Sequence, residues 1–213
     1  MKPLVTLREP ALPAALFRRL RRAVEGLSDA RLPQGYQATF WFDFTRPPGN
    51  LVEQAVVLLR EHLPASRRRG VAGAEWWLSR MRTSNVQVDF HRDRDNALYD
   101  ATGRTVTPRT SSVLYLNRCR GGLLAVTAEP CDPRNPALAP SRHDFDLVAP
   151  KPNRYVFFDG GLTHGVLDAK NQLPAERLPR EPGLRLAIAV NYWHRRPRAV
   201  PRYAETRRLR GLA

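Results

Sequence analysis

Lysine is nearly missing from this chain. Lys2, Lys151 and Lys170 are the only three, so arginine supplies almost all of the 35 basic residues that outnumber 20 acidic ones and give a formal charge of +15. Cysteine is almost as scarce: Cys119 and Cys131 match no zinc or redox spacing, which excludes a disulfide framework and a cysteine-built metal site. No apolar run approaches the ~18 residues of a membrane span, and Met1–Pro10 holds no apolar core of signal-peptide length. A soluble, cytoplasmic protein without a membrane partner is expected. No internal repeat recurs at fixed period, which removes solenoids and propellers.

The excess charge invites a nucleic-acid partner, because clustered cations displace counterions from phosphate. Its distribution argues otherwise. Runs at Arg18–Arg22, Arg67–Arg69 and Arg195–Arg198 are scattered and carry no interleaved aromatics. A solvated basic surface is the simpler account, with a polyanion or acidic-substrate surface second.

The 213 residues suffice for one domain able to bury roughly 70% of its unfolded surface. Leu16, Phe17, Leu20 and Val24 recur at helical spacing before Gly26, and Leu51 to Leu63 repeats the pattern behind Asn50, a candidate N-cap. Aromatic and β-branched runs follow one another between turn residues: 36–44, 75–90, 110–117, 121–127, 145–148, 155–158 and 185–193. The 121–127 run reads as the neighbour of 110–117 across a Gly121-Gly122 turn, and 95–108 as a loop. Short strands between glycine and proline turns predict a sandwich or barrel, and the early helices make it α+β. The chain divides into a supporting region of the same domain over 1–75, a core over 76–196 and a basic tail over 197–213.

Val86 to Asp93 is an alternating run ending in a histidine and a carboxylate two residues apart. On an extended strand, positions i and i+2 share a face, so His91 and Asp93 offer an imidazole nitrogen and a carboxylate oxygen to one point. A third ligand has to come from elsewhere. His164, presented after the 154–158 strand and the Gly160-Gly161 turn, is a candidate. Two histidines and one carboxylate suit a non-haem Fe(II) with open positions. Asn85 and Gln87 share the His91 face and are candidate substrate contacts, as is Arg94, with Arg92 and Arg109, for an acidic group.

His91-Arg92-Asp93, then Tyr115-Leu116-Asn117 with Gly121-Gly122-Leu123, then Phe157-Phe158 before His164-Gly165-Val166, then Gly183-Leu184-Arg185 together resemble the Fe(II)/2-oxoglutarate-dependent oxygenases, most closely their prolyl-4-hydroxylase-like branch. The resemblance covers residues 80 to 195. It implies a double-stranded β-helix (a cupin-like jelly-roll) carrying the N-terminal helices as supports. It implies His91, Asp93 and His164 as iron ligands, Arg185 on the distal carboxylate of 2-oxoglutarate and Tyr115 as a second donor to it. Two features depart from the pattern. The stretch from His164 to Arg185 is about a dozen residues longer than usual, and Ala187 stands where a Ser or Thr often follows the arginine, leaving Tyr115 or Thr163 to compensate.

The implied activity consumes 2-oxoglutarate and O2 and hydroxylates an unactivated C–H bond of an amino acid, peptide or natural-product intermediate, releasing succinate and CO2. Two alternatives stand beside it: an AlkB-like nucleic-acid dealkylase, for which the basic charge would be apt, and a non-catalytic metal-binding or interaction module.

Overall fold

The run Leu-Arg-Leu-Ala-Ile-Ala-Val-Asn-Tyr-Trp forms a ten-residue strand, β9 (Leu184–Trp193), at the centre of the protein. Its even-numbered side chains, Leu186, Ile188, Val190 and Tyr192, are buried in the main apolar core. Arg185, Ala189 and Asn191, on the opposite face by strand alternation, line a cavity. One strand thus serves a core on one side and a site on the other.

The structure is a computed structural model describing residues 3–27, 38–82, 90–131, 145–167, 184–206 and 212. The other strands are β1 (Val5–Arg8), β2 (Phe40–Asp43), β3 (Gly73–Arg82), β4 (Thr110–Tyr115), β5 (Leu124–Thr127), β6 (Asp146–Val148), β7 (Arg154–Asp159) and β8 (Thr163–Val166). They form a six-stranded sheet, β1-β7-β4-β9-β3-β2, and a three-stranded sheet, β6-β5-β8. Every pairing is antiparallel.

Helices α1 (Ala14–Glu25) and α2 (Leu51–Glu61) send Phe17, Leu20, Val24, Val52, Val56 and Leu59 into the same core as the even residues of β9, and the single turn α3 (Ala65–Arg68) follows α2. Their predicted amphipathic faces therefore cover one side of the large sheet. Asn50 caps α2 as expected, its side chain accepting from the Glu53 N–H at 2.9 Å. The other face of the large sheet meets the small sheet through Tyr115, Val156, Phe158 and Ala187 against Leu124, Val126 and Val148. No described helix is long and apolar enough to cross a membrane.

Four details differ from the sequence reading. The 121–127 run is not the neighbour of β4: β5 lies in the other sheet, because Gly121 and Gly122, both at positive φ, turn the chain across the sandwich rather than into a hairpin. The expected loop at 95–108 contains a helix, α4 (Asn96–Thr102), capped by the Asp95 carboxylate on the Leu98 N–H and closed by left-handed Gly103. Residues 5–8 form an edge strand that the sequence did not announce. The basic tail, read from sequence as poorly ordered or lightly helical, is helical over the short α5 (Tyr203–Thr206) and its described part docks on the body, the Trp41 N–H donating to the Pro201 carbonyl at 2.7 Å and Val200 being buried.

Candidate metal centre

His91 lies on no regular strand. It makes one antiparallel bridge to His164 of β8, each backbone N–H donating to the other residue's carbonyl at 2.9 Å. The bridge places two residues 73 positions apart side by side, with imidazole centroids 4.5 Å from each other. Two residues beyond His91 the chain delivers Asp93 to both rings. Its Oδ1 lies 3.6 Å from His91 Nε2 and its Oδ2 3.4 Å from His164 Nε2. One ligand atom from each of the three residues lies within 4.8 Å of the others. Adjacent ligands held at ~2.1 Å and right angles about one ion stand about 3 Å apart, so a small contraction suits a facial set.

Partners behind these side chains fix their roles. His164 Nδ1 faces the Leu162 carbonyl at 3.2 Å, where an N–H donor leaves Nε2 as the free lone pair on the Asp93 side. The Ser111 hydroxyl donates to Asp93 Oδ2 at 2.9 Å, and the Phe158 ring packs edge-on to His164 at 5.0 Å. Burial alone would push the Asp93 carboxyl up, but without a metal the charge and N–H that His164 and then His91 offer when protonated hold it well below the usual carboxylate range, the part a metal ion would play beside neutral imidazoles. The carboxylate stays ionised in a desolvated place, which calls for a cation. Two imidazoles, a carboxylate and their oriented supports fit a divalent transition metal.

From the triad a cavity runs along the large sheet toward Arg185. Its floor is set by register: Asn191 lies opposite Ser111, Ala189 opposite both Trp77 and Val113, and Ala187 opposite both Ser79 and Tyr115. Ala189 keeps the middle of the floor low. Arg185 is only 2% exposed. Its guanidinium donates to the Gly122 carbonyl at 3.2 Å and the Ser79 hydroxyl at 3.1 Å, and lies 5.2 Å from the centre of the Tyr115 ring. No described carboxylate pairs with it. Among the described residues the fully buried Tyr115 hydroxyl has no hydrogen bond of good geometry, and its polar neighbour is the Arg185 guanidinium. Burial pushes that phenol up, against the pull of Arg185, so it remains a donor. A buried guanidinium and an orphaned hydroxyl beside it make a cradle for an anion.

The structure brings His91, Asp93 and His164 together and sets Arg185 at the other end of the same cavity, with Tyr115 buried beside it. Arg94 is elsewhere: it stacks on Tyr99 at 3.6 Å, donates to Asn96 and is absent from the cavity wall. Arg109 donates to the Ser66 carbonyl, and Arg92 to the Thr163 hydroxyl at 3.4 Å, which occupies Thr163. Asn85 and Gln87, like the 169–183 insertion, lie outside the described residues. The sequence reading missed Ser79, Ser111, Trp77 and Asn191. Ser79, whose hydroxyl meets Arg185, faces Ala187 directly across the strands; only the register shows this.

No protein-family model matches the chain, nor does any curated protein sequence. Solved structures do match. A prolyl-4-hydroxylase from Pseudomonas putida is 20% identical with a TM-score of 0.50, covering 91% of this chain and 89% of that one. A bsmA homologue from Methylobium petroleophilum is 16% identical with a TM-score of 0.52, covering 91% and 90%. At such identities the likeness speaks for the fold, over nearly the whole chain rather than residues 80 to 195 alone: this protein resembles the prolyl-4-hydroxylase-like 2-oxoglutarate/Fe(II) oxygenases and shares its fold with a prolyl-4-hydroxylase.

Proposed function

We propose that this chain is an Fe(II)- and 2-oxoglutarate-dependent dioxygenase whose two facing sheets form a double-stranded β-helix. Its reaction is the hydroxylation of an unactivated C–H bond in a small molecule or peptide, with release of succinate and CO2. One observation carries the reading: a single cavity joins a two-imidazole, one-carboxylate triad to a buried arginine that no described carboxylate pairs with.

His91, Asp93 and His164 would hold the metal by one face, and Arg185 would meet the distal carboxylate of 2-oxoglutarate with its planar fork. Ser79 and Tyr115 add two hydroxyl donors at the same end. Bound Fe(II), with 2-oxoglutarate and O2, supplies the oxidising power for C–H cleavage. The protein's share is positioning. The Leu162 carbonyl fixes the His164 tautomer, Ser111 anchors Asp93, and Trp77, Val113, Phe158 and Ala189 keep water from the space between triad and arginine.

The test is succinate release from 2-oxoglutarate by the Fe(II)-loaded protein under air, repeated with His91→Ala. Iron-dependent succinate that falls by two orders of magnitude or more in the variant is expected. Succinate unchanged by the substitution would discard the assignment.

A further inference from the structure

A second carboxylate shares the cavity face of β3. Strand alternation puts Glu75 on the side of Trp77 and Ser79, and register places it in a row across the sheet, Trp41–Glu75–Asn191–Ser111. Ser111 in this row holds Asp93, and Asn191 lines the cavity. Two indoles close the row's outer end. Trp193 donates its N–H to Glu75 Oε2 at 3.1 Å. Trp41 lies against Gly73, where a Cβ would fall 2.4 Å from its ring, so only glycine admits the indole there.

The partners of Glu75 are what set it apart. They are neutral donors, the Trp193 indole and the Thr39 hydroxyl. In a chain with 35 Lys and Arg, Glu9 is paired with Lys151 and Arg154, Asp43 with Arg202 and Asp95 with Arg195. Among the described residues Glu75, half-buried, forms no such ion pair. Asp93 and Asp95 lie close enough to add negative potential. A desolvated carboxylate among indoles, with like charges nearby and no cation paired to it among the described residues, is complementary to a cation from outside.

We propose that Glu75, with Trp77 and Asn191, receives a cationic group of the substrate, an ammonium or guanidinium. This deepens the oxygenase reading and rests on it for the chemistry, but the binding site stands by itself. Two strand spacings, roughly 10 Å, separate Glu75 from the Ser111 strand that supports the triad. The substrate is therefore extended, its charge held apart from the carbon that faces the metal.

The experiment is calorimetric titration of the full chain, with and without Mn(II) and 2-oxoglutarate, using two matched pairs of blocked amino acids: Nα-acetyl-arginine methylamide against its citrulline isostere, and the lysine compound against norleucine. The cationic member of each pair is expected to bind at least tenfold tighter, and Glu75→Gln to erase that preference. The glutamine keeps an oxygen for the Trp193 N–H, and comparison of isosteres on the unaltered protein needs no variant. Equal binding within each pair, a preference that survives Glu75→Gln, or no binding of any probe overturns the proposal. Succinate release is scored separately. Succinate without cation preference sinks this inference alone, and cation preference without succinate sinks the oxygenase reading alone.

Discussion

Asp93 shows how much one side chain depends on those behind it. Its two oxygens face two imidazoles, and one also takes the Ser111 hydroxyl. Loss of such an outer partner typically weakens metal binding 10–100-fold, so Ser111→Ala should lower Mn(II) affinity by about tenfold, whereas Asp93→Ala should abolish binding measurable by calorimetry. An unchanged affinity in Ser111→Ala would show that the hydroxyl plays no part in holding the ligand. Arg185 calls for a subtler change. Lysine keeps the charge but loses the fork that reaches Gly122 and Ser79 at once, so Arg185→Lys should raise the half-saturating 2-oxoglutarate concentration at least tenfold while Mn(II) affinity stays put. Glu75 carries a pH signature. Burial pushes its carboxyl up to about 7 from 4.5, opposed by its hydrogen bonds and aided by Asp93 and Asp95. The folded state therefore binds this proton more tightly than the unfolded chain. Its contribution to stability is present below about pH 4.5 and is lost as pH rises through 7. Between pH 5 and pH 8, denaturant unfolding of the metal-free protein should show wild type losing on the order of 2 kcal/mol relative to Glu75→Gln. Parallel pH profiles would mean that water reaches the carboxylate freely.

At the scale of elements, the turn between β7 and β8 governs where His164 stands. A Cβ at Gly160 would fall 2.1 Å from the Pro108 carbonyl oxygen, a backbone atom just ahead of β4, whereas one at Gly161 meets at closest an Asp159 side-chain oxygen at 3.2 Å. Gly160→Ala has to push the turn away from the strand that carries Ser111. Overpacking of this kind costs about 1–3 kcal/mol. Gly160→Ala should lower Tm by several degrees and weaken Mn(II) binding with it, and Gly161→Ala should do neither to a comparable extent. Equal behaviour of the two variants would remove the turn from the account of the site. The same scale explains what could be read from sequence. β9 was legible because its alternation is carried by large side chains on one face, and α2 because Asn50 precedes a clean apolar stripe. In α4 only Leu98 is buried, so no period marked the helix, although Asp95 and Gly103 were caps in plain sight. The place of β5 was hidden for another reason: a glycine pair signals a turn but not whether the chain re-enters the same sheet. Ser79 was the least legible of all, one serine in Trp76-Trp77-Leu78-Ser79-Arg80, because its value lies in facing Ala187 across a register that no local pattern encodes.

Across the whole molecule, the candidate ligands are shared between the sheets. His164 belongs to the small sheet, Arg185, Ser79 and Tyr115 to the large one, and His91 and Asp93 lie on the segment bridged to β8. Metal and cosubstrate bound together would tie the two layers at the cavity between them, so occupancy should appear as global stability. Ligand at about 100 times its Kd adds about 2.7 kcal/mol, which for a domain of this size means roughly 5–10 °C in Tm. The +15 charge complicates such a measurement, since any dicarboxylate screens arginine repulsion and stabilises without entering the cavity. Glutarate at equal ionic strength is the control, because it lacks the keto oxygen needed to chelate a metal. Mn(II) alone should raise Tm, 2-oxoglutarate should add a further increment only when Mn(II) is present, and glutarate should not reproduce that increment. In Arg185→Ala the Mn(II) shift should survive and the 2-oxoglutarate increment vanish; in His91→Ala both should vanish. If glutarate matches 2-oxoglutarate, or if the increment persists without metal, the stabilisation comes from the basic surface and the cavity does not join the two ligands.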